Sequence, residues 1–271
     1  MIDFGARLAG VLAAHGPLCV GIDPHEALLE EWGLDASADG VREFGLRVVE
    51  AADGRVGIVK PQVSFFERHG SAGYAALEDV LAAARAAGLL VIADAKRGDI
   101  GSTMDAYARA WLTPGSSLEA DALTVSPYLG VGALAGSFDV AAEHGKGLFV
   151  LAATSNPEGA SLQAAGAGDR SVAAQVAGEV GARNGGAHPG SFGLVVGATL
   201  DRAAFGLTDE LLEGTPILAP GFGFQGARAE DLSSLFGAVA GSVVASESRS
   251  ILSAGPGGLA ARIAERAALY A

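Results

Sequence analysis

One cysteine among 271 residues rules out an intramolecular disulfide and with it any cystine-stapled scaffold. Cys19 sits in the apolar run Leu18–Ile22 and reads as a small buried hydrophobe. Aromatics make up 6% of a chain that is half apolar, so the core has to be aliphatic. Positive charge is also scarce: 18 Lys and Arg face 31 Asp and Glu, a formal net charge of −13, with no basic cluster. A polyanion partner needs a basic face, which argues against nucleic acid and against an anionic membrane surface. A phosphorylated small molecule stays open, because one Arg and a few backbone N–H groups suffice to hold it. No apolar run is long enough to span a bilayer. The N-terminus carries Asp3 and Arg7 in place of a basic n-region and a long apolar stretch. The expected compartment is the cytoplasm. The five histidines, His15, His25, His69, His144 and His188, lie far apart without ligand spacing, so no metal site is expected. Neither a G-x-S-x-G elbow nor a P-loop lysine occurs, which leaves hydrolase and kinase readings without their nucleophile or cradle.

What the chain does have is alternation. Short β-like runs fall at Leu18–Asp23, Val56–Lys60, Leu89–Lys96, Ala122–Ser126, Gly147–Ala153, Phe192–Val196, Pro216–Ala219 and Ser242–Ser246. Ala- and Leu-rich helical stretches such as Ala72–Ala87, Ser171–Arg183 and Gly258–Tyr270 separate them. Eight βα units predict a parallel (β/α)8 barrel, where an open doubly wound sheet would show fewer or less regular ones. No composition shift divides residues 1–271, so one catalytic domain is expected. Ser155 to Gly168, rich in Gly, Ala and Ser, is the longest irregular stretch and reads as a lid or ligand loop.

Barrel enzymes carry their chemistry at the carboxyl ends of the strands. Here those ends are Asp23, Lys60, Asp94 with Lys96, Ser126, Ser155, Gly197, Gly221 and Arg249. In the third strand, LLVIADAKRGD, alternation places Asp94 and Lys96 on one face and Ala93, Ala95 and Arg97 on the other. Buried charges need opposite partners. Asp99, past Gly98, is expected to return a second carboxylate to Lys96, and Lys60 to flank Asp94. An array Lys60, Asp94, Lys96, Asp99 keeps Lys96 protonated and suits it to general acid work. The bland alternative is an ion-pair network that only caps the barrel. Arg97-Gly98-Asp99 also spells a cell-adhesion tripeptide, which needs an exposed loop on a secreted protein.

Near the seventh strand, PILAPGFGFQGARAEDL contains Gly221, Gly223 and Gly226 in G-x-G-x-x-G spacing. A dinucleotide fold needs several strands after this motif, and one strand and one helix remain. A phosphate loop fits better, with backbone N–H groups around Gly223–Gly226 and Ser248–Arg249, the Gln225 amide and the Arg249 fork gripping a dianion.

The run DAKRGDIGST, Asp94 to Thr103, resembles the D-x-K-x-x-D signature of the orotidine 5′-phosphate decarboxylase family. Val59-Lys60-Pro61-Gln62, Ser126-Pro127-Tyr128-Leu129-Gly130, Thr154-Ser155-Asn156-Pro157 and Ala219-Pro220-Gly221-Phe222-Gly223 resemble its longer-chain branch, in family order. The resemblance implies decarboxylation of orotidine 5′-phosphate to UMP, the last step of de novo pyrimidine synthesis, with no metal or organic cofactor. It implies that Asp94 sits against the substrate carboxylate and that Lys96 delivers a proton to C6. Asp99 would pair with Lys96 and reach a ribose hydroxyl from the neighbouring subunit of a homodimer with shared sites, with Thr103 nearby. Asp23 and Lys60 would hold the ribose, Ser155 would read the pyrimidine, and Gln225 and Arg249 would hold the phosphate. Pro220, Gly226 and Ser248 complete the implied substrate-binding set. Glu247-Ser248-Arg249-Ser250 departs from the family's small residue followed by Ser-Arg-Gly and brings an acid near the phosphate. Two alternatives remain. A magnesium-dependent sugar-phosphate lyase would be expected to carry an acid where Lys60 stands. A non-catalytic phosphate-ligand sensor would be expected to have lost a Lys or Asp from the array.

Overall fold

The structure, a computed structural model, describes residues 2–270. Eight parallel strands close into a barrel in the order β1-β10-β9-β8-β5-β4-β3-β2. They are β1 (Leu18–Ile22), β2 (Ile58–Pro61), β3 (Leu90–Arg97), β4 (Ala122–Val125), β5 (Gly147–Ala153), β8 (Phe192–Val196), β9 (Ile217–Pro220) and β10 (Val243–Glu247). β6 (Gly166–Ala167) and β7 (Arg170–Ser171) form a separate antiparallel hairpin. Helices follow the strands and build an outer ring, so the expected (β/α)8 architecture is the observed one. No helix among the described residues is long and apolar enough to cross a membrane.

The two-residue period of the strands sorts their side chains into two cores. Val20 and Ile22 of β1, Val59 of β2, Val91 and Ala93 of β3, and Val243 and Ala245 of β10 face the helical ring. Cys19, Ile58, Leu90, Ile92, Ala122, Phe149, Val195, Leu218 and Val244 fill the barrel interior. Burial pushes the Cys19 thiol up to about 12, which leaves it an inert packing group as its sequence context suggests. The same parity, carried one step further, delivers Lys60, Asp94, Thr124 and Ser246 to the inside of the barrel mouth.

The N-terminal helix Phe4–His15 closes the opposite end. Asp3 caps it by accepting from the Ala6 N–H at 2.8 Å. Phe4 and Leu8 are buried against the interior layer, with Phe4 edge-on to Phe149 at 6.0 Å between ring centres. Arg7 ties the helix down through Asp121 (2.5 Å) and the Gly145 carbonyl (2.9 Å). Phe4→Ala is therefore expected to destabilise the barrel by about 3–5 kcal/mol in urea unfolding. Its kinetic constants should stay unchanged, because the plug sits at the end away from the strand termini that carry the charges.

The stretch Ser155–Gly168 is not irregular. Pro157 starts a short helix, Pro157–Gln163, with Glu158 in its first turn, and the chain then enters the β6–β7 hairpin. Its small residues hide a Pro-led helix start, a signal that composition alone does not register.

Candidate active site

A cavity of about 500 Å³ opens at the carboxyl ends of the strands. Asp23, Lys60, Asp94, Lys96, Ser155, Pro220, Gly221, Gln225, Ser248 and Arg249 line it, together with His25, Gln62 and an apolar floor of Leu151, Val195 and Leu218. Asp94 is its electrostatic centre. Asp94 Oδ2 accepts from Lys60 Nζ at 2.8 Å, and Oδ1 accepts from Lys96 Nζ at 2.6 Å and from the Thr124 hydroxyl at 2.9 Å. Burial alone would raise the Asp94 pKa. The ammonium groups of Lys60 and Lys96 outweigh it and hold the carboxyl below the usual carboxylate range. Burial likewise pulls on Lys60, but the charges of Asp94 and Asp23 keep its ammonium above the ordinary lysine value.

These two shifts determine a pH window. A depressed carboxylate contributes stability above its unfolded pKa of about 4, and that contribution is lost as pH falls through the folded value. A raised ammonium contributes below about 10.4 and loses that contribution as pH rises through its folded value. The stability gap between the wild type and Asp94→Asn should therefore hold from about pH 6 to 5 and narrow below about pH 4. Urea midpoints across that range check it, and a gap unchanged down to about pH 3 would show that Asp94 is not held ionised.

Lys96 reaches its place by breaking strand regularity. It has φ of +48°, the one positive value among the described non-glycine residues, and the β3–β4 register shifts between Ala93 and Arg97. Its N–H donates to Thr124 Oγ1 at 2.9 Å, so one hydroxyl pins both the bulged backbone and Asp94. Such strain costs about 1–3 kcal/mol and persists where the surroundings over-determine it. The bulge aims the ammonium into the cavity, where its side chain stays 44% exposed. Gln62 braces the pair, donating to the Asp94 carbonyl at 3.3 Å and accepting from Lys96 Nζ at 3.5 Å.

The fourth member of the expected array is elsewhere. Asp99 does not return to Lys96 within the chain, and its Oδ1 accepts from the Ile100 N–H at 2.8 Å. Gly98 lies flat on Ser126, where a Cβ would meet the Ser126 carbonyl oxygen at 2.7 Å. That contact turns the chain outward into helix Gly101–Leu112. Thr103, exposed on the helix, lies outside the cavity, and so does Gly226. Ser126 and Gly197 also fall outside it.

At the rim, Phe222 leads into a turn, Gly223–Gln225, that closes with Gly226 at φ +107°. Gln225 and Arg249 are exposed across its mouth, and the Arg249 guanidinium rests over the Phe224 ring at 4.3 Å. Asp23 Oδ1 and Ser248 Oγ are buried without a hydrogen-bond partner in the chain. Two orphaned polar atoms in one wall suit a hydroxyl-rich, charged ligand. The acid expected near the phosphate is turned away: Glu247 has the outward parity of Val243 and Ala245 and is buried against Arg266.

Sequence reasoning left Gln62 and Thr124 out of the site. Strand parity could have found Thr124, which follows the interior Ala122 by two positions. His25, at the N-cap of helix Glu26–Glu31, also lines the cavity, edge-on to Phe65 at 4.3 Å between ring centres, and burial lowers its pKa.

A Lys–Asp–Lys chain centred on the buried Asp94, at the mouth of the barrel and facing an Arg- and Gly-bearing rim, is the site of a (β/α)8-barrel enzyme. The orotidine 5′-phosphate decarboxylase / HUMPS family model matches residues 16–263. The orotidine 5′-phosphate decarboxylase of Salinispora arenicola is 55% identical over 266 residues, covering 97% of this chain and 95% of the relative. A crystal structure of a Streptomyces avermitilis protein, 50% identical, superposes with a TM-score of 0.95 over 100% of this chain and 95% of that one. The OMP decarboxylase of Leishmania donovani is 32% identical with a TM-score of 0.77, over 99% of both chains. The chain belongs to the orotidine 5′-phosphate decarboxylase / HUMPS family.

Proposed function

We propose that this enzyme converts orotidine 5′-phosphate to UMP and carbon dioxide, with Lys96 protonating C6. The observation that carries the reading is Asp94 clamped between Lys60 and Lys96 at the end of a strained strand. The C6–carboxylate bond breaks, its electron pair stays on C6, and the Lys96 Nζ proton moves to that carbon. Water then reprotonates the amine. Without an electron sink the barrier must fall through fixed charge, and a cation held beside C6 supplies it. Asp94 serves twice: it orients the ammonium, and its own charge beside the substrate carboxylate favours departure of carbon dioxide. The apolar floor takes the base and Ser155 reads its edge. Asp23 and Lys60 hold the ribose, while Gln225, Ser248 and Arg249 grip the phosphate. Remote grip on the phosphate supplies the binding energy that positions C6.

The working unit in this reading is a homodimer of the cytoplasm. Lys96 has a carboxylate on one side only, and Asp99 beside it faces out. Around Asp99 the surface is apolar: Ile100 is 60% exposed, Tyr128 79% and Leu129 53%. A second copy covering this face would bring its Asp99 and Thr103 to Lys96 and the ribose.

The test is turnover of orotidine 5′-phosphate by EDTA-treated protein, followed as loss of the orotate absorbance. Loss at full rate supports the reading. No loss by correctly folded protein would replace it with a metal-dependent sugar-phosphate lyase and make magnesium the next variable.

A further inference from the structure

We propose that Glu247 is a positioning residue for the phosphate grip, acting through Arg266 and Tyr270 of the C-terminal segment. The inference rests on the phosphate assignment above. Its starting point is the completeness of the carboxylate's surroundings. Glu247 Oε1 accepts from Arg266 Nη2 and from the Tyr270 hydroxyl, each at 2.7 Å. Oε2 accepts from Arg266 Nε at 2.9 Å and from the Ser250 hydroxyl at 2.6 Å. The side chain has no solvent exposure, so removing one partner leaves an uncompensated buried charge.

Both halves of the phosphate site rest on this cluster. Gly223, which opens the rim turn, has φ of +72°, and a Cβ there would meet Ser250 Oγ at 2.5 Å and Glu247 Oε2 at 2.8 Å. The turn therefore lies directly on the carboxylate. Phe222 packs edge-on to Tyr270 at 5.8 Å. On the other half, Glu247 and Ser250 bracket Ser248 and Arg249 in sequence, and Arg262 donates to the Ser250 carbonyl at 3.1 Å. The C-terminal segment, helix Gly255–Ala268 with Tyr270 just beyond it, thus holds the rim turn and the arginine segment in a common frame.

Charge makes the arrangement testable. Glu247 alone would repel a dianion, and Arg266, paired with it through both oxygens, cancels that field. Arg266→Gln should expose the carboxylate's field behind the phosphate and weaken UMP binding by about tenfold, with uridine changed less than about twofold. Adding Glu247→Gln to Arg266→Gln removes the charge and should recover most of that loss. In steady state, KM for orotidine 5′-phosphate should rise more than kcat falls.

The measurement is the ratio of UMP to uridine dissociation constants by calorimetry, for the wild type, Arg266→Gln and the double variant, with Tm alongside. An unchanged ratio with a lowered Tm would reduce the cluster to a structural anchor and overturn the proposal. Should Arg266→Gln fail to fold, Tyr270→Phe keeps the packing and should raise the ratio by about two- to threefold; no change would overturn it equally. A wild type that does not prefer UMP over uridine would instead strike at the phosphate assignment itself.

Discussion

Lys96→Ala is expected to lower decarboxylation of orotidine 5′-phosphate by about 10⁴-fold or more, with the barrel still folded. In the proposed mechanism two roles end together: the cation that stabilises charge on C6 and the acid that quenches it. The loss should appear in kcat, because binding energy comes largely from the ribose and phosphate contacts, which the substitution leaves in place. Asp94 keeps Lys60 at 2.8 Å and Thr124 at 2.9 Å, so it is not stranded in the variant. Circular dichroism and a urea midpoint confirm folding, and the absorbance assay reads the rate. A Lys96→Ala enzyme within about tenfold of the wild type would remove Lys96 from the chemistry.

Mixing Lys96→Ala and Asp99→Ala subunits should restore activity that neither has alone. If each site takes Lys96 from one copy and Asp99 from the other, a heterodimer holds one intact site and one doubly defective site. Random exchange at equal concentrations makes half the dimers mixed, so recovery should reach about a quarter of the wild-type specific activity. The geometry that motivates this is specific. Gly98 on Ser126 turns Asp99 outward, and Ile100, Tyr128 and Leu129, close to it along the chain or beyond Ser126, are among the exposed large apolar groups. Native mass spectrometry would verify exchange. Exchanged dimers without activity would refute shared sites and leave Asp99 a local turn residue.

Much of the site was legible because strand parity and strand ends are properties of the local sequence. Leu90, Ile92 and Asp94 follow one another at two-residue steps, so the strand that fills the barrel also places the carboxylate at its mouth. Lys60 follows Ile58 in the same way. Glu247 obeys the rule too. Its parity with Val243 and Ala245 turns it outward, although its closeness to Arg249 in sequence suggested a charge in the phosphate site.

Contacts made across elements were legible only in part: Lys60 beside Asp94 was expected from the strand ends, the contacts around Lys96 were not. The pairing of Lys96 with Asp94 depends on a bulge and a positive φ that alternation does not encode, and on Thr124 from the next strand. Gln62 joins the site because β2 lies beside β3. Arg266, nineteen positions beyond Glu247, meets it because the last helix returns along the barrel wall.

By itself, then, the sequence determined the eight barrel strands to within two residues at each end, the face on which each strand charge stands and the Gly-rich rim. These follow from periodicity, turn chemistry and residue type, all of which act over a few residues. Only the tertiary structure decided which of the expected charge contacts form within the chain: Lys60 and Lys96 reach Asp94, and Asp99 does not reach Lys96. Closure of the barrel sets strand against strand at a particular stagger, and hydrogen bonds and ion pairs form or fail within an ångström of that placement.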